Sequence, residues 1–268
     1  MRVDVRAKNN VTVTGSRSGP TVMLAHGFGC DQTLWRAVTE LLVPTCRVVL
    51  FDHVGAGRSD VSVWDEETYS SLDAYACDVV DIVRDLNLQD VIFVGHSVAS
   101  MIGVLAAAAH PELFAGLVLL TPSPRYIDEG DYRGGFSRSD IDELLESLDS
   151  NYLGWSRAMA PSIMGNPDRA ELSEQLTDSF CRTDPACARA FARATFLSDN
   201  REDLARVSTP TLVVECAEDS LAPRWVGRYV RENIAGCELI TLDTSGHCPH
   251  VSDPKATASA ILSFVHDR

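Results

Sequence analysis

Apolar residues along the chain follow two alternating rhythms. Short runs rich in Val, Leu and Ile recur at Thr21-Val22-Met23-Leu24-Ala25, Arg47-Val48-Val49-Leu50-Phe51, Val91-Ile92-Phe93-Val94, Leu117-Val118-Leu119-Leu120, Thr211-Leu212-Val213-Val214 and Glu238-Leu239-Ile240-Thr241-Leu242. Runs of this length without polar alternation predict strands buried on both faces. Val11-Thr12-Val13-Thr14 alternates instead and reads as an edge strand. Between these runs the apolar spacing becomes helical. Asp31 precedes Leu34, Trp35, Val38, Leu41 and Leu42, residues 73–86 carry a stripe of Tyr75, Val79, Ile82, Val83 and Leu86, and Ile261, Leu262, Phe264 and Val265 mark a closing helix. Strands alternating with helices predict an α/β chain with a parallel sheet and right-handed crossovers.

The rhythm breaks at Pro122. From 126 to 199 no strand pattern occurs, and four helical stretches follow one another. Ser139 and Asp142 have capping-box spacing ahead of Ile141, Leu144, Leu145 and Leu148. Trp155 and Met159 mark a second helix, and Leu172, Leu176 and Phe180 a third; Asp184-Pro185 opens a fourth as N-cap and first helical residue. The reading is a core made of 1–125 and 200–268, with 126–199 inserted as a helical lid. That insertion holds 14 acidic and 7 basic residues, so its outer face is expected to be acidic and solvated.

Composition narrows the function classes. In 268 residues, 45% are hydrophobic and 23% charged, as in an ordinary globular protein. A net charge of −15 argues against nucleic acid as a partner, because phosphate would be repelled. No apolar run is long enough for a membrane span, and the start Met1-Arg2-Val3-Asp4-Val5-Arg6 lacks the apolar core of a signal peptide. The expected location is the cytoplasm. Eight scattered cysteines without a Cys-x-x-Cys pair fit free thiols there.

The candidate chemistry centres on Gly95-His96-Ser97-Val98-Ala99. A serine at a sharp bend between a strand and a helix, with small neighbours, has the form of a nucleophile elbow. Ala99 stands where the usual Gly-x-Ser-x-Gly pattern has its second glycine. A serine hydroxyl is a weak nucleophile and needs a base, itself oriented by an acid. Asp219 follows the next-to-last strand and His247 the last, which supplies both. Glu218 is the rival acid, and Cys30 and Cys248 are alternative nucleophiles that sit on no elbow. After the strand at 21–25, His26-Gly27-Phe28-Gly29 has the glycines that let backbone N–H groups face an oxyanion. Two other phrases carry little. Asp52-His53-Val54-Gly55-Ala56-Gly57 lacks the third glycine of a dinucleotide fingerprint, and His247-Cys248-Pro249-His250 offers too few ligands for a metal. No cofactor or metal is expected.

The order serine, acid, histidine, each after a strand, is that of the α/β-hydrolases. The chain resembles that superfamily, and within it the RsbQ-like group related to the plant karrikin and strigolactone receptors. The resemblance rests on His26-Gly27-Phe28-Gly29-Cys30-Asp31-Gln32, Phe51-Asp52-His53-Val54-Gly55-Ala56-Gly57, Gly95-His96-Ser97-Val98, Ser123-Pro124-Arg125-Tyr126, Gly134-Gly135-Phe136, Asn151-Tyr152-Leu153-Gly154-Trp155 and Gly246-His247-Cys248-Pro249-His250, and covers nearly the whole chain. It implies an α/β-hydrolase fold, with a parallel-rich eight-stranded sheet and a four-helix lid. It further implies oxyanion donors at the N–H groups of Phe28 and Val98, and a pocket lined by Phe28, His96, Phe136, Trp155, Phe196 and Leu221. The expected activity is hydrolysis of a small apolar ester or lactone, such as a butenolide, by Ser97, His247 and Asp219. The alternative is a ligand-sensing module with slow hydrolysis, acting on a PAS-domain phosphatase in a stress response. Both need the same triad and pocket.

Overall fold

The computed structural model describes residues 4–268. Seven strands form one sheet among them: β1 (Thr12–Gly15), β2 (Thr21–Ala25), β3 (Arg47–Leu50), β4 (Val91–His96), β5 (Phe114–Leu120), β6 (Thr211–Glu218) and β7 (Glu238–Ser245). Their order is β1-β3-β2-β4-β5-β6-β7, with β1 antiparallel to β3 and every other pairing parallel. The eight strands implied by the resemblance are therefore corrected to seven, which are the six apolar runs and the alternating edge segment. Ahead of β1 the chain forms a short helix, α1 (Val5–Lys8). There the Asp4 carboxylate accepts from the N–H groups of Arg6 at 3.0 Å and Ala7 at 3.2 Å, which starts a helical turn where a strand would have left those donors for a ladder.

Period-two alternation sorts the strand side chains between two cores. Met23, Val49, Phe93, Leu117 and Val213 face one side, under α3 (Leu72–Asp85), α4 (Val98–Ala109) and α9 (Arg224–Asn233). Val22, Val48, Ile92, Val118 and Leu212 face the other, under α2 (Arg36–Leu42) and α11 (Pro254–His266). Each fully buried aliphatic side chain contributes about 1.5–3 kcal/mol, so covering both faces is what makes the near-continuous apolar strands stable.

The direction of the crossovers reverses at β2. The chain goes from β2 outward to β3, then returns past β2 to β4. Such a switch point leaves a crevice at the carboxyl ends of the two central strands. Register pairs Ala25 with Gly95 there, so His26-Gly27-Phe28 and His96-Ser97-Val98 leave the sheet side by side.

Four helices lie between β5 and β6: α5 (Arg138–Ser150), α6 (Tyr152–Met164), α7 (Ala170–Arg182) and α8 (Pro185–Phe196). Asp184 caps α8, accepting from the N–H groups of Ala186 and Cys187. The capping box of α5 is Ser137 with Asp140, not Ser139 with Asp142. Asp142 instead pairs with Arg138 one turn back, at 2.9 Å. A third apolar cluster joins the inner faces of these helices to the end of the sheet through Trp155, Met164, Leu176, Phe180 and Phe196. Where the insertion leaves and rejoins the sheet, its two feet are tied together: Asn200 N–H donates to Pro124 O at 2.8 Å, and Arg125 pairs with Asp199 at 3.0 Å. A short helix, α10 (Pro249–Ser252), follows β7.

Candidate active site

Ser97 stands between β4 and α4 with φ 57° and ψ −123°. A serine in this region costs about 1–3 kcal/mol and persists only when its surroundings over-determine it. They do so here, since Ser97 N–H donates to Leu120 O at 2.8 Å and Ser97 O accepts from Ser100 N–H at 2.9 Å. The bend brings helix and strand so close that a Cβ on Gly95 would lie 2.4 Å from Ala99 O. The close approach thus demands glycine at 95. Ala99 itself is fully buried in the core beneath the sheet, where its methyl is accommodated.

His247 Nε2 lies 2.7 Å from Ser97 Oγ, and its Nδ1 lies 2.7 Å from Asp219 Oδ2. A carboxylate only accepts, so Nδ1 carries the proton and Nε2 is free to accept from the serine hydroxyl. Asp219 Oδ1 accepts from the N–H groups of Leu221 at 2.8 Å and Ala222 at 3.0 Å. Burial pushes the Asp219 carboxyl up, but the adjacent His247 and these two N–H groups outweigh it and hold the group below the usual carboxylate range. Glu218 faces outward and accepts from Ser245 Oγ. His247 is held by its backbone as well. Its N–H donates to Ile163 O at 2.8 Å, and its carbonyl accepts from His96 Nε2 at 2.8 Å and Thr121 Oγ1 at 3.2 Å.

The N–H groups of Phe28 and Val98 donate to no protein acceptor among the described residues. Val98 is the first residue of α4, so helix geometry leaves its N–H without a partner. Asp31, in the same loop as Phe28, accepts two hydrogen bonds from Arg182 of α7, at 2.9 and 2.7 Å, which ties this loop to the helices above it.

These groups meet at a mostly apolar cavity between the end of the sheet and the four inserted helices. Phe28, His96, Trp155, Phe196 and Leu221 line it together with Ser97 and His247. Phe136 does not. It is corrected to a position behind Tyr126, with ring centroids 6.4 Å apart, and Tyr126 takes the wall. The Tyr126 hydroxyl lies 3.4 Å from Ser97 Oγ. Burial pushes it up to about 12, so it stays protonated near neutrality. Sequence reasoning did not place Tyr126, Phe180 or Thr195 on this wall. The available signal was the position of Tyr126 just past the end of β5, where open α/β sheets bind ligands.

Cys30 and Cys248 also line the cavity, but burial raises both thiols, so neither is an activated nucleophile. His250 is fully buried, packed against Trp35 and His96 with ring centroids 4.4 Å and 4.3 Å away and the rings tilted. The Gly55-x-Gly57 loop is organised by Asp52, whose carboxylate accepts from Asn10 Nδ2 and from the N–H groups of Gln32 and Arg58.

The sequence profile of the Alpha/beta hydrolase family matches residues 22–260. A karrikin insensitive 2 receptor of Petunia hybrida is 36% identical over 263 residues, covering 98% of this chain and 97% of its own. A strigolactone esterase of Arabidopsis thaliana is 36% identical over 250 residues and 93% of each chain. A hydrolase from Oleispira antarctica superposes with a TM-score of 0.96 at 41% identity, over 99% of this chain and 97% of its own. With the fold matched end to end and the family profile spanning most of its length, this chain belongs to the alpha/beta hydrolase family.

Proposed function

We propose that this hydrolase cleaves a small, largely apolar ester or lactone through an acyl-enzyme. The observation that carries the reading is the unbroken hydrogen-bonded line Asp219–His247–Ser97 opening on an enclosed, mostly apolar cavity. Ser97 Oγ attacks the carbonyl carbon as its proton passes to His247 Nε2. The carbonyl oxygen becomes an oxyanion held by the N–H groups of Phe28 and Val98. The leaving alkoxide takes the proton back from His247, and water, deprotonated by His247 in turn, hydrolyses the acyl-Ser97 ester. Asp219 keeps His247 in the productive tautomer. In this reading 126–199 is the lid, and its aromatic residues Trp155 and Phe196, with Phe28 from the core, sort substrates by shape. The eight free cysteines suit a reducing, cytoplasmic compartment.

The test is Ser97→Ala. It should lower hydrolysis of p-nitrophenyl acetate by several orders of magnitude while thermal unfolding stays cooperative. Mass spectrometry of the wild-type protein with the same ester should trap the acyl group on Ser97. Near wild-type turnover by the variant would sink the assignment.

The receptor among its relatives favours a second reading, a ligand sensor; the resemblance to the RsbQ-like group adds to that reading a lid that is the output surface and a PAS-domain phosphatase as its partner. Asp142 and Glu146 are exposed on α5, whereas Leu144 of the same helix lines the cavity. Asp142→Arg with Glu146→Arg should leave hydrolysis within about twofold, since exposed substitutions of this kind rarely change stability by more than a few tenths of a kcal/mol. Under the sensing reading the same pair of substitutions abolishes pull-down of the phosphatase. A wild-type protein that pulls down no such phosphatase and turns over a native ester rapidly leaves only the metabolic reading.

A further inference from the structure

We propose that the Thr195 hydroxyl is a specificity-determining contact of this cavity, selecting ligands that carry a second oxygen, such as an ether, hydroxyl or carbonyl, away from the scissile carbonyl. The proposal rests on the hydrolase reading above and names its substrate class more closely.

Thr195 lies on α8, beside Phe196, and lines the cavity. It is 1% exposed, and its Oγ1 has no hydrogen-bond partner. Several other hydroxyls of the protein are buried without a partner, but among the described residues Thr195 is the cavity-lining residue that carries one. A helical threonine ordinarily satisfies its hydroxyl on the carbonyl one turn back. The neighbouring lid helices do this: Ser156 Oγ donates to Tyr152 O at 2.7 Å, Thr177 Oγ1 to Ser173 O at 2.8 Å and Ser150 Oγ to Glu146 O at 2.8 Å. Thr195 does not, so its hydroxyl is not committed to its own helix.

The other polar groups of the wall are accounted for. Ser97, His247 and Tyr126 form one connected chain at 2.7 and 3.4 Å. His96 gives Nε2 to the His247 carbonyl. Its Nδ1 is unpartnered and faces the side of Gly27 where a Cβ would stand, 2.7 Å from that position. Thr195 is therefore a separate polar residue on a wall that also includes Phe28, Trp155, Met159, Phe180 and Phe196. A buried hydroxyl without a partner is costly, and valine would fill the same shape without that cost. A ligand oxygen within reach satisfies the hydroxyl, and an apolar ligand leaves it stranded. That asymmetry is how a polar group in a pocket discriminates.

The test reads binding independently of turnover. In a Ser97→Ala background, intrinsic tryptophan fluorescence (Trp155 is in the wall) reports binding of 3-propylfuran-2(5H)-one and of 3-(methoxymethyl)furan-2(5H)-one, which differ only by oxygen in place of one methylene. With Thr195 present, the methoxymethyl compound should bind tighter by about 3- to 10-fold, the value of one neutral hydrogen bond. Thr195→Val should abolish or invert that ratio by weakening the methoxymethyl compound and tightening the propyl one. Thr195→Ser should keep it. A purely structural role for Thr195 would move both affinities together. Equal ratios with threonine and valine, or no binding of either compound, overturn the proposal. Failure of the hydrolase reading shows separately, as wild-type protein that binds these compounds with the expected ratio and cleaves neither them nor p-nitrophenyl acetate.

Discussion

Asp219 and Glu218 are adjacent in sequence and opposite in surroundings. Asp219 has a fully buried side chain bonded to His247 Nδ1 and to two backbone N–H groups, and Glu218 is exposed. Asp219→Asn should cut kcat by roughly three to four orders of magnitude, because the amide can donate to Nδ1 and hold the wrong imidazole tautomer. Glu218→Gln should change kcat by less than about threefold, since only a hydrogen bond to Ser245 is altered. Steady-state kinetics on the two variants decides the assignment, and a larger loss in Glu218→Gln would reverse it. That Ser97, Asp219 and His247 each follow a strand, in that order, could be read from the sequence. Tyr126 could not, because nothing local shows that a chain leaving β5 turns its phenol towards Ser97.

The tightest joint between elements is the crossing of β4 and α4. Gly95→Ala would put a methyl group 2.4 Å from Ala99 O, against backbone that cannot yield without moving Ser97. A loss of about 1–3 kcal/mol is expected, with hydrolysis falling further than stability because the elbow is displaced. Thermal melts and kcat on the same sample check this; an unchanged melting temperature would show that the joint is looser than its geometry. A second joint lies where α6 ends. Ile163 O accepts from the His247 N–H, and Asn166 Nδ2 donates to Ser245 O at 2.9 Å, so the inserted helices grip the loop that carries His247. The helices themselves were legible from apolar spacing and caps. The start of α5 was not, because Ser137 and Ser139 each have an aspartate three residues on, and the spacing alone does not choose between them.

Across the whole molecule, four histidines besides His247 are buried in and beside the site. Burial pushes His26, His53 and His96 below the ordinary imidazole range and His250 down to about 3. Their folded forms stay neutral while the unfolded chain takes up protons as pH falls through about 6.5. Stability is therefore complete above that pH and falls as the solution is acidified, by up to about 1.4 kcal/mol per pH unit for each histidine. Carboxylates titrate lower; Asp219, held below its usual range, keeps its contribution until the pH falls further still. Urea midpoints at pH 7.5, 6.5 and 5.5 should decline steeply over the last interval. A flat profile would mean that these rings are protonated in the folded protein.

Apolar runs of four or five residues, one alternating segment, helical spacing between them and one long strandless insertion were enough to define the α/β class and the inserted helices, though the strand count expected was eight and the sheet has seven. They suffice because burial on two faces leaves its pattern in the local order of residues, and so does capping. The site is a different matter. Ser97 and His247 are 150 positions apart and meet at 2.7 Å because the loop after β7 reaches back across the end of the sheet, where His96 Nε2 and Thr121 Oγ1 hold the His247 carbonyl. The cavity wall depends on which face each lid helix presents. That is set by packing against Phe28 and Tyr126, which bring Thr195 onto the wall and leave Phe136 behind it. Pairwise contacts of this kind have no periodicity along the chain, so they are fixed by the folded arrangement alone.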